Sequence, residues 1–265
     1  MAMRRTISRS DVLGVKVSAI DMVMAIETIC SWIAERKRTY VCVTGVHGVM
    51  ESVRSEELRG IHNAAGLVTP DGMPLVWLLK WAGHRQVDRV YGPDLMLAAF
   101  GAAELGNARH FLYGTTSQTL ATLSARLRHR FSAVQIVGAI APPFRPLSPV
   151  EDAAYIAEIN AAAPDIVWVG LSTPKQERWM VAHRERLGAA VLIGVGAAFD
   201  IHAGVVPQAP RILQRAGLEW AFRLCIDPQR LWRRYAVNVP SFVFHVLAQK
   251  LGLRQFSSGP QNDRP

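Results

Sequence analysis

Four stretches of the 265-residue chain put polar side chains where an apolar run gives way to a helix start. Parallel α/β sheets build their ligand sites at such places, outside the carboxyl ends of the strands. In Leu67-Val68-Thr69-Pro70-Asp71-Gly72-Met73-Pro74 the apolar run ends in a Pro-Asp-Gly turn. Asp71 there either shapes the turn and caps the next helix, or stands as a carboxylate able to take a proton from a hydroxyl nucleophile. In Asp88-Arg89-Val90-Tyr91-Gly92-Pro93-Asp94-Leu95 an arginine precedes a Gly-Pro turn. Arg89 and the helix N–H groups would seat a phosphate, or else make a surface salt bridge. Asp94 is expected to cap the helix beginning at Leu95.

The third stretch is Gly170-Leu171-Ser172-Thr173-Pro174-Lys175-Gln176-Glu177. Gly170 would let a ligand approach the backbone. Thr173 reads as a cap with Pro174 at the first helical position, and Gln176 either completes a capping box or binds a ligand. The fourth, Gly194-Val195-Gly196-Ala197-Ala198-Phe199-Asp200, has two glycines after a strand, but Phe199 fills the third glycine position of a dinucleotide fingerprint, which argues against NAD. His47 and His202 are the histidines placed after strands, and a structural role is expected of each.

Other chemistries find no support. There is no Gly-x-x-x-x-Gly-Lys loop, no His-Glu-x-x-His, no Gly-x-Ser-x-Gly and no clustered Cys/His pattern. The three cysteines, Cys30, Cys42 and Cys225, have neither disulfide nor zinc spacing; they point to a reducing compartment and read as buried apolar fillers. The N-terminus lacks the apolar run of a signal peptide, so a cytoplasmic location is expected. Gly188 to Phe199 is the longest apolar run, and at that length it reads as a buried strand rather than a membrane span.

Something must position these turns, and the hydrophobic periodicity says what. Half the residues are hydrophobic, enough for a large core. Short apolar runs alternate with amphipathic ones from residue 11 to about 200, the pattern of an α/β fold: a mainly parallel Rossmann-like sheet with helices on both faces. Strands are predicted near Gly14–Val17, Tyr40–Thr44, Gly66–Thr69, His110–Tyr113, Val134–Ile140, Asp165–Leu171 and Ala190–Gly194. Helices are predicted over Asp21–Glu35, Glu56–Ala65, Pro74–Trp81, Asp94–Leu105, Ser117–Arg130, Pro149–Ala162 and Pro174–Leu187. The Pro-rich stretch 141–149 reads as a stiff surface loop, the edge of a lid.

Charge divides the chain differently. The formal net charge is +9, yet from Gln208 onward nine basic residues face only Glu219, Asp227 and Asp263, while the preceding 207 residues are nearly balanced. The domain reading is therefore an α/β body over 1–207 and a basic helical appendage over 208–265. The appendage interleaves Arg with Trp220, Phe222, Trp232 and Tyr235. Such a segment suits an anionic lipid surface, and single-stranded nucleic acid equally by composition; an ordinary pair of C-terminal helices with solvated arginines is the plainer alternative.

Taken in order, the segments 69–74, 89–95, 170–177 and 194–200, with Leu218-Glu219-Trp220-Ala221-Phe222-Arg223-Leu224 and 227–235, resemble the bacterial WecG/TagA/CpsF glycosyltransferase family. That family includes N-acetylmannosaminyltransferases of wall teichoic acid and enterobacterial antigen synthesis. The resemblance implies a metal-independent, inverting transfer from a UDP-sugar donor to an undecaprenyl-diphosphate-linked acceptor, with no cofactor, by a protein attached peripherally to the inner face of the cell membrane. It implies Asp71 as general base. It implies Arg89 and Gln176 as donor contacts and Thr44, Asp94, Gly170, Glu177, Asp200 and Arg223 as further substrate-binding residues. The basic appendage is then a membrane-docking element rather than a nucleic-acid site, and self-association into a homo-oligomer is left open.

Some positions depart from the family pattern. Gly45-Val46-His47 follows Thr44 where relatives often have Asn, Gln208-Ala209-Pro210 replaces Arg-Ala-Pro, and Ala197-Ala198 replaces a glycine pair. Mannosamine is therefore not assumed as the donor sugar, and a related hexose or uronic acid stands beside it. With no Asp-x-Asp to hold a metal, Arg89, helix N-termini and arginines of the appendage are the groups available to meet the leaving charge. The alternative class is a non-catalytic regulator binding a nucleotide sugar or lipid diphosphate on the same scaffold. A Rossmann-type methyltransferase lacks its glycine-rich loop after the first strand.

Overall fold

The computed structural model describes residues 7–256. The chain runs through β1 (Arg9–Val12), β2 (Val15–Ser18), α1 (Met22–Ala34), β3 (Thr39–Thr44), α2 (Val46–Arg54), α3 (Glu56–Ala64), β4 (Leu67–Pro70) and α4 (Met73–Trp81). It continues through α5 (Gly92–Gly101), a 3-10 turn (Ala103–Leu105), β5 (Arg109–Gly114), α6 (Ser117–Arg130), β6 (Gln135–Ile140), α7 (Pro149–Ala161), β7 (Ile166–Gly170), α8 (Lys175–His183), β8 (Val191–Gly194) and α9 (Ala198–Ala203). Then follow α10 (Arg211–Arg215), α11 (Glu219–Ile226) and α12 (Pro228–Lys250). The class is α/β with a parallel sheet surrounded by helices, as the periodicity implies. Two compact units divide the chain: one takes in the described residues of Met1–Asp21, Thr44–Val90 and Ala209–Pro265, the other Met22–Val43 and Tyr91–Gln208. The described residues from Ala209 onward cluster with Thr44–Val90 in the first unit.

In the second unit the strands lie in the order β3-β8-β7-β5-β6, all pairs parallel. β3, β7 and β8 are almost continuously apolar (TYVCVT, IVWVG, VLIG) and buried along nearly their whole length, as strands covered on both faces must be. β6 lies at the edge and is more exposed. The chain leaves β5 for β6 on one side, whereas β7 lies on the other side of β5 and is followed by β8 beyond it. The carboxyl ends of β5 and β7 therefore flank a topological switch point, where open sheets of this kind bind ligands.

In the first unit, β1 and β2 form an antiparallel hairpin that the strand reading had only from Gly14. Leu13 and Gly14 turn it with φ of 55° and 86°, the positive pair that two-residue hairpins favour. Arg9 anchors the hairpin by donating to the carbonyls of Asn63, Ala65 and Gly66. α12 buries Leu231, Asn238, Phe242 and Ala248 along one stripe, and packs on α2. Asn238 there accepts from Arg54 at 2.6 Å and contacts His47 Nδ1 at 3.2 Å. α10 and α11 seat beside α4: Gly217, with φ of 71°, lies so close to Trp77 that a methyl group would meet the indole at 2.8 Å.

Three expectations are corrected. α5 starts at Gly92 with Tyr91 as N-cap, because Gly92-Pro93 already fits the first turn, so Asp94 is an exposed first-turn residue and not the cap. α8 starts at Lys175 with Pro174 at the cap position and no side-chain cap; Thr173 and Gln176 bond elsewhere. Of the cysteines only Cys42 is buried; Cys30 is partly exposed and Cys225 exposed. The loop 141–148 is irregular and largely exposed, with Phe144 at its surface.

Candidate functional site

The first unit presents Asp71 at the carboxyl end of β4. Pro70 ends the strand and Gly72, in extended conformation, caps α4, so the cap is supplied by the residue after Asp71. The Asp71 side chain is only partly exposed, and Oδ2 lies beside Gly45, where a methyl group would meet it at 3.4 Å. Its peptide is gripped from two sides. The Asp71 N–H donates to the Thr44 carbonyl at 3.0 Å, and the Asp71 carbonyl accepts from Arg89 Nε at 2.5 Å. Thr44 itself is buried and contributes through its backbone. Its side chain packs against Gly48 at the start of α2.

Arg89 does more than hold that carbonyl. Nη1 donates to Gln214 Oε1 at 2.9 Å, and Nη2 forms an ion pair with Glu219 Oε2. Gln214 in turn donates to the Ala209 carbonyl at 2.7 Å, and Glu219 Oε1 pairs with Arg223 at 2.9 Å. Of the candidate residues, Asp71, Thr44, Arg89 and Arg223 lie in one network, which also contains Gln214 and Glu219, two residues that were not among the candidates. A signal was present: Glu219 is one of only three acids in the basic C-terminal segment.

The second unit holds the remaining candidates at the switch point. β7 ends at Gly170, whose vacant side-chain position is occupied by the Phe199 ring, where a methyl group would come within 2.7 Å. Gly114, at the end of β5 with φ of 136°, is pressed as closely onto the Gly170 carbonyl. These glycines thus first serve backbone and ring packing. Thr115 and Ser172, just after the two strands, both have positive φ (54° and 64°), a local strain that clusters at binding loops. The Thr115 hydroxyl donates to Asp200 Oδ1 at 2.9 Å.

Gln176 and Glu177 are buried where α8 begins. Gln176 Oε1 accepts from the Gly196 N–H at 3.0 Å, tying α8 to the loop after β8, and its Nε2 donates to Glu177 Oε1 at 3.1 Å. Thr173 donates to that same oxygen at 2.8 Å, while Oε2 is buried without a hydrogen-bond partner. A carboxylate held so has one acceptor oxygen still to satisfy. Asp94 stands apart on the exposed side of α5. His202 lies against the Pro93 carbonyl at 2.9 Å, and burial lowers its pKa, so it is a structural residue. Among the described residues no three His, Cys, Asp or Glu side chains gather into a metal-binding group.

The model of the Glycosyl transferase WecG/TagA/CpsF family matches residues 10–256, nearly the whole chain and every segment described above. The chain belongs to this family. It is a glycosyltransferase. WecG/TagA/CpsF relatives include the N-acetylglucosaminyldiphosphoundecaprenol N-acetyl-beta-D-mannosaminyltransferases of Bacillus spizizenii and Bacillus subtilis. The first is 28% identical over 217 residues, 82% of each chain, and the second 27% identical over 213 residues, 80% of each chain. The Staphylococcus aureus protein of the same name is 23% identical over 254 residues, covering 95% of this chain and 97% of its own.

Proposed function

We propose that this glycosyltransferase moves a sugar from a UDP-sugar to an undecaprenyl-diphosphate-linked saccharide, with inversion, at the inner face of the cell membrane. The observation that carries the reading is the placement of Asp71: a partly exposed carboxylate at a strand end, on a peptide fixed by Thr44 and Arg89. The relatives, whose names specify an undecaprenol-diphosphate acceptor, support the acceptor class.

In this mechanism Asp71 takes the proton of the acceptor hydroxyl as its oxygen attacks the anomeric carbon from the side opposite UDP. The new C–O bond forms while the bond to the diphosphate oxygen breaks, and UDP departs with that electron pair. General-base assistance of this kind contributes about 10² to 10⁴-fold in rate. We assign Gly170, Gln176, Glu177 and Asp200, at the switch point of the second unit, to donor binding.

The acceptor's lipid calls for a membrane-facing surface. No helix of the described residues is long and apolar enough to span a bilayer. Instead α11 and α12 expose Trp220, Ile226, Trp232, Phe244 and Leu247 among Arg230, Arg233 and Arg234. Aromatic and aliphatic side chains beside cations are what an interfacial helix presents to an anionic leaflet. The reaction is tested by incubating the protein with a panel of UDP-sugars, N-acetylmannosamine and related hexoses and uronic acids, and an N-acetylglucosaminyl-diphosphate lipid. Release of UDP with an inverted product linkage by NMR is expected; no release from any donor, or retained configuration, contradicts the reading.

A further inference from the structure

Gln214 and Glu219 have no part in the chemistry above, yet they hold the arginine that holds the base. Arg89 spans three acceptors with one planar fork: the Asp71 carbonyl through Nε, Gln214 through Nη1 and Glu219 through Nη2. A guanidinium bound in this way has its plane set by its partners, which an ammonium could not reproduce. The ion pair is shielded, with the Arg89 and Glu219 side chains 13% and 15% exposed. Each partner is itself held: Gln214, buried, by its bond to the Ala209 carbonyl, and Glu219 by Arg223.

We propose that Gln214 and Glu219 are positioning residues that fix Arg89 and, through it, the peptide of Asp71; the claim rests on Asp71 acting as the base. Gly72 follows Asp71 directly and leaves the turn intrinsically pliant. The grip on the Asp71 carbonyl therefore decides where the carboxylate sits. It follows that α10 and α11 serve the reaction from inside the protein, apart from any contact with lipid. Glu219, an acid in a basic segment, owes its place to this clasp.

The test uses the full chain carrying Glu219→Gln, Gln214→Ala or Glu219→Asp. A short-chain N-acetylglucosaminyl-diphosphate lipid in detergent serves as acceptor, so that membrane attachment is not measured. In Glu219→Gln, kcat is expected to fall by about 10²-fold, the loss typical of a base displaced by an ångström. UDP affinity and donor KM should stay within about threefold, and Glu219→Asp should recover most of kcat. Amide exchange across residues 69–76 should quicken. Unchanged kcat, a kcat loss that only follows a lowered Tm, or UDP binding that tightens because Glu219 had competed for Arg89, would each overturn the proposal. Should the wild type release no UDP at all, the reaction assigned above fails while amide exchange still decides whether the clasp holds the turn: unchanged exchange in Glu219→Gln refutes it.

Discussion

At the scale of single residues, His110 makes folding sensitive to pH. It is buried on β5 against Phe100, accepts from Trp168 Nε1 at 3.1 Å through Nδ1, and burial lowers its pKa to about 4. The imidazole is neutral in the folded protein, whereas the unfolded chain protonates near the ordinary value of 6.5. Stability is therefore full above pH 6.5 and declines as pH falls toward about 4, where the folded state begins to take up the proton as well. The expected loss is roughly 3 kcal/mol. Denaturant unfolding across that range should show the slope, and His110→Phe should flatten it; an unchanged slope in the variant would assign it to other groups. Asp71 was legible from its Pro-Asp-Gly turn, and Gln176 from its place after a strand. What those side chains touch was not, because Gly196 lies 20 residues from Gln176, and Gln214 and Glu219 lie 125 and 130 residues from Arg89.

At the scale of elements, the strands were legible wherever both faces are buried, since a run such as Ile166–Gly170 has no other plausible structure. Short elements were not. α2 follows β3 with only Gly45 between, and its first turn, Val46-His47-Gly48, carries no cap signal. α9 is a six-residue helix inside a glycine- and alanine-rich loop. β1 is a four-residue strand that exists by pairing with β2. The basic segment was recognised as helical, but charge arithmetic could not reveal that it clusters with residues 44–90 through Gln214, Glu219, Gly217 and Asn238. α12 also has a task of its own in the proposed docking. Each Lys or Arg near an anionic leaflet contributes about 1 kcal/mol. Replacing Arg230, Arg233 and Arg234 with Gln should lower partitioning onto anionic vesicles by about a hundredfold at low salt, with the helical circular dichroism unchanged. Sedimentation with vesicles measures this, and undiminished binding would place the membrane surface elsewhere.

At the scale of the whole molecule, the described residues form two compact units. The one with the parallel sheet offers strained loops and a half-satisfied carboxylate at its switch point. The other holds Asp71, its clasp and the basic helices. Length, hydrophobic content and βα alternation made the α/β class legible, and the ordered set of short motifs made the family legible. The donor sugar was not, because the positions that depart from the family pattern, Gly45 to His47 and Ala197-Ala198, border both candidate regions. The proposed transfer depends on Asp71 as the base. Turnover of Asp71→Asn, measured by UDP release beside UDP binding and thermal unfolding, tests it directly. A fall of about 10² to 10⁴-fold in kcat with binding and folding preserved is the predicted result, and turnover within a few-fold of the wild type would contradict it.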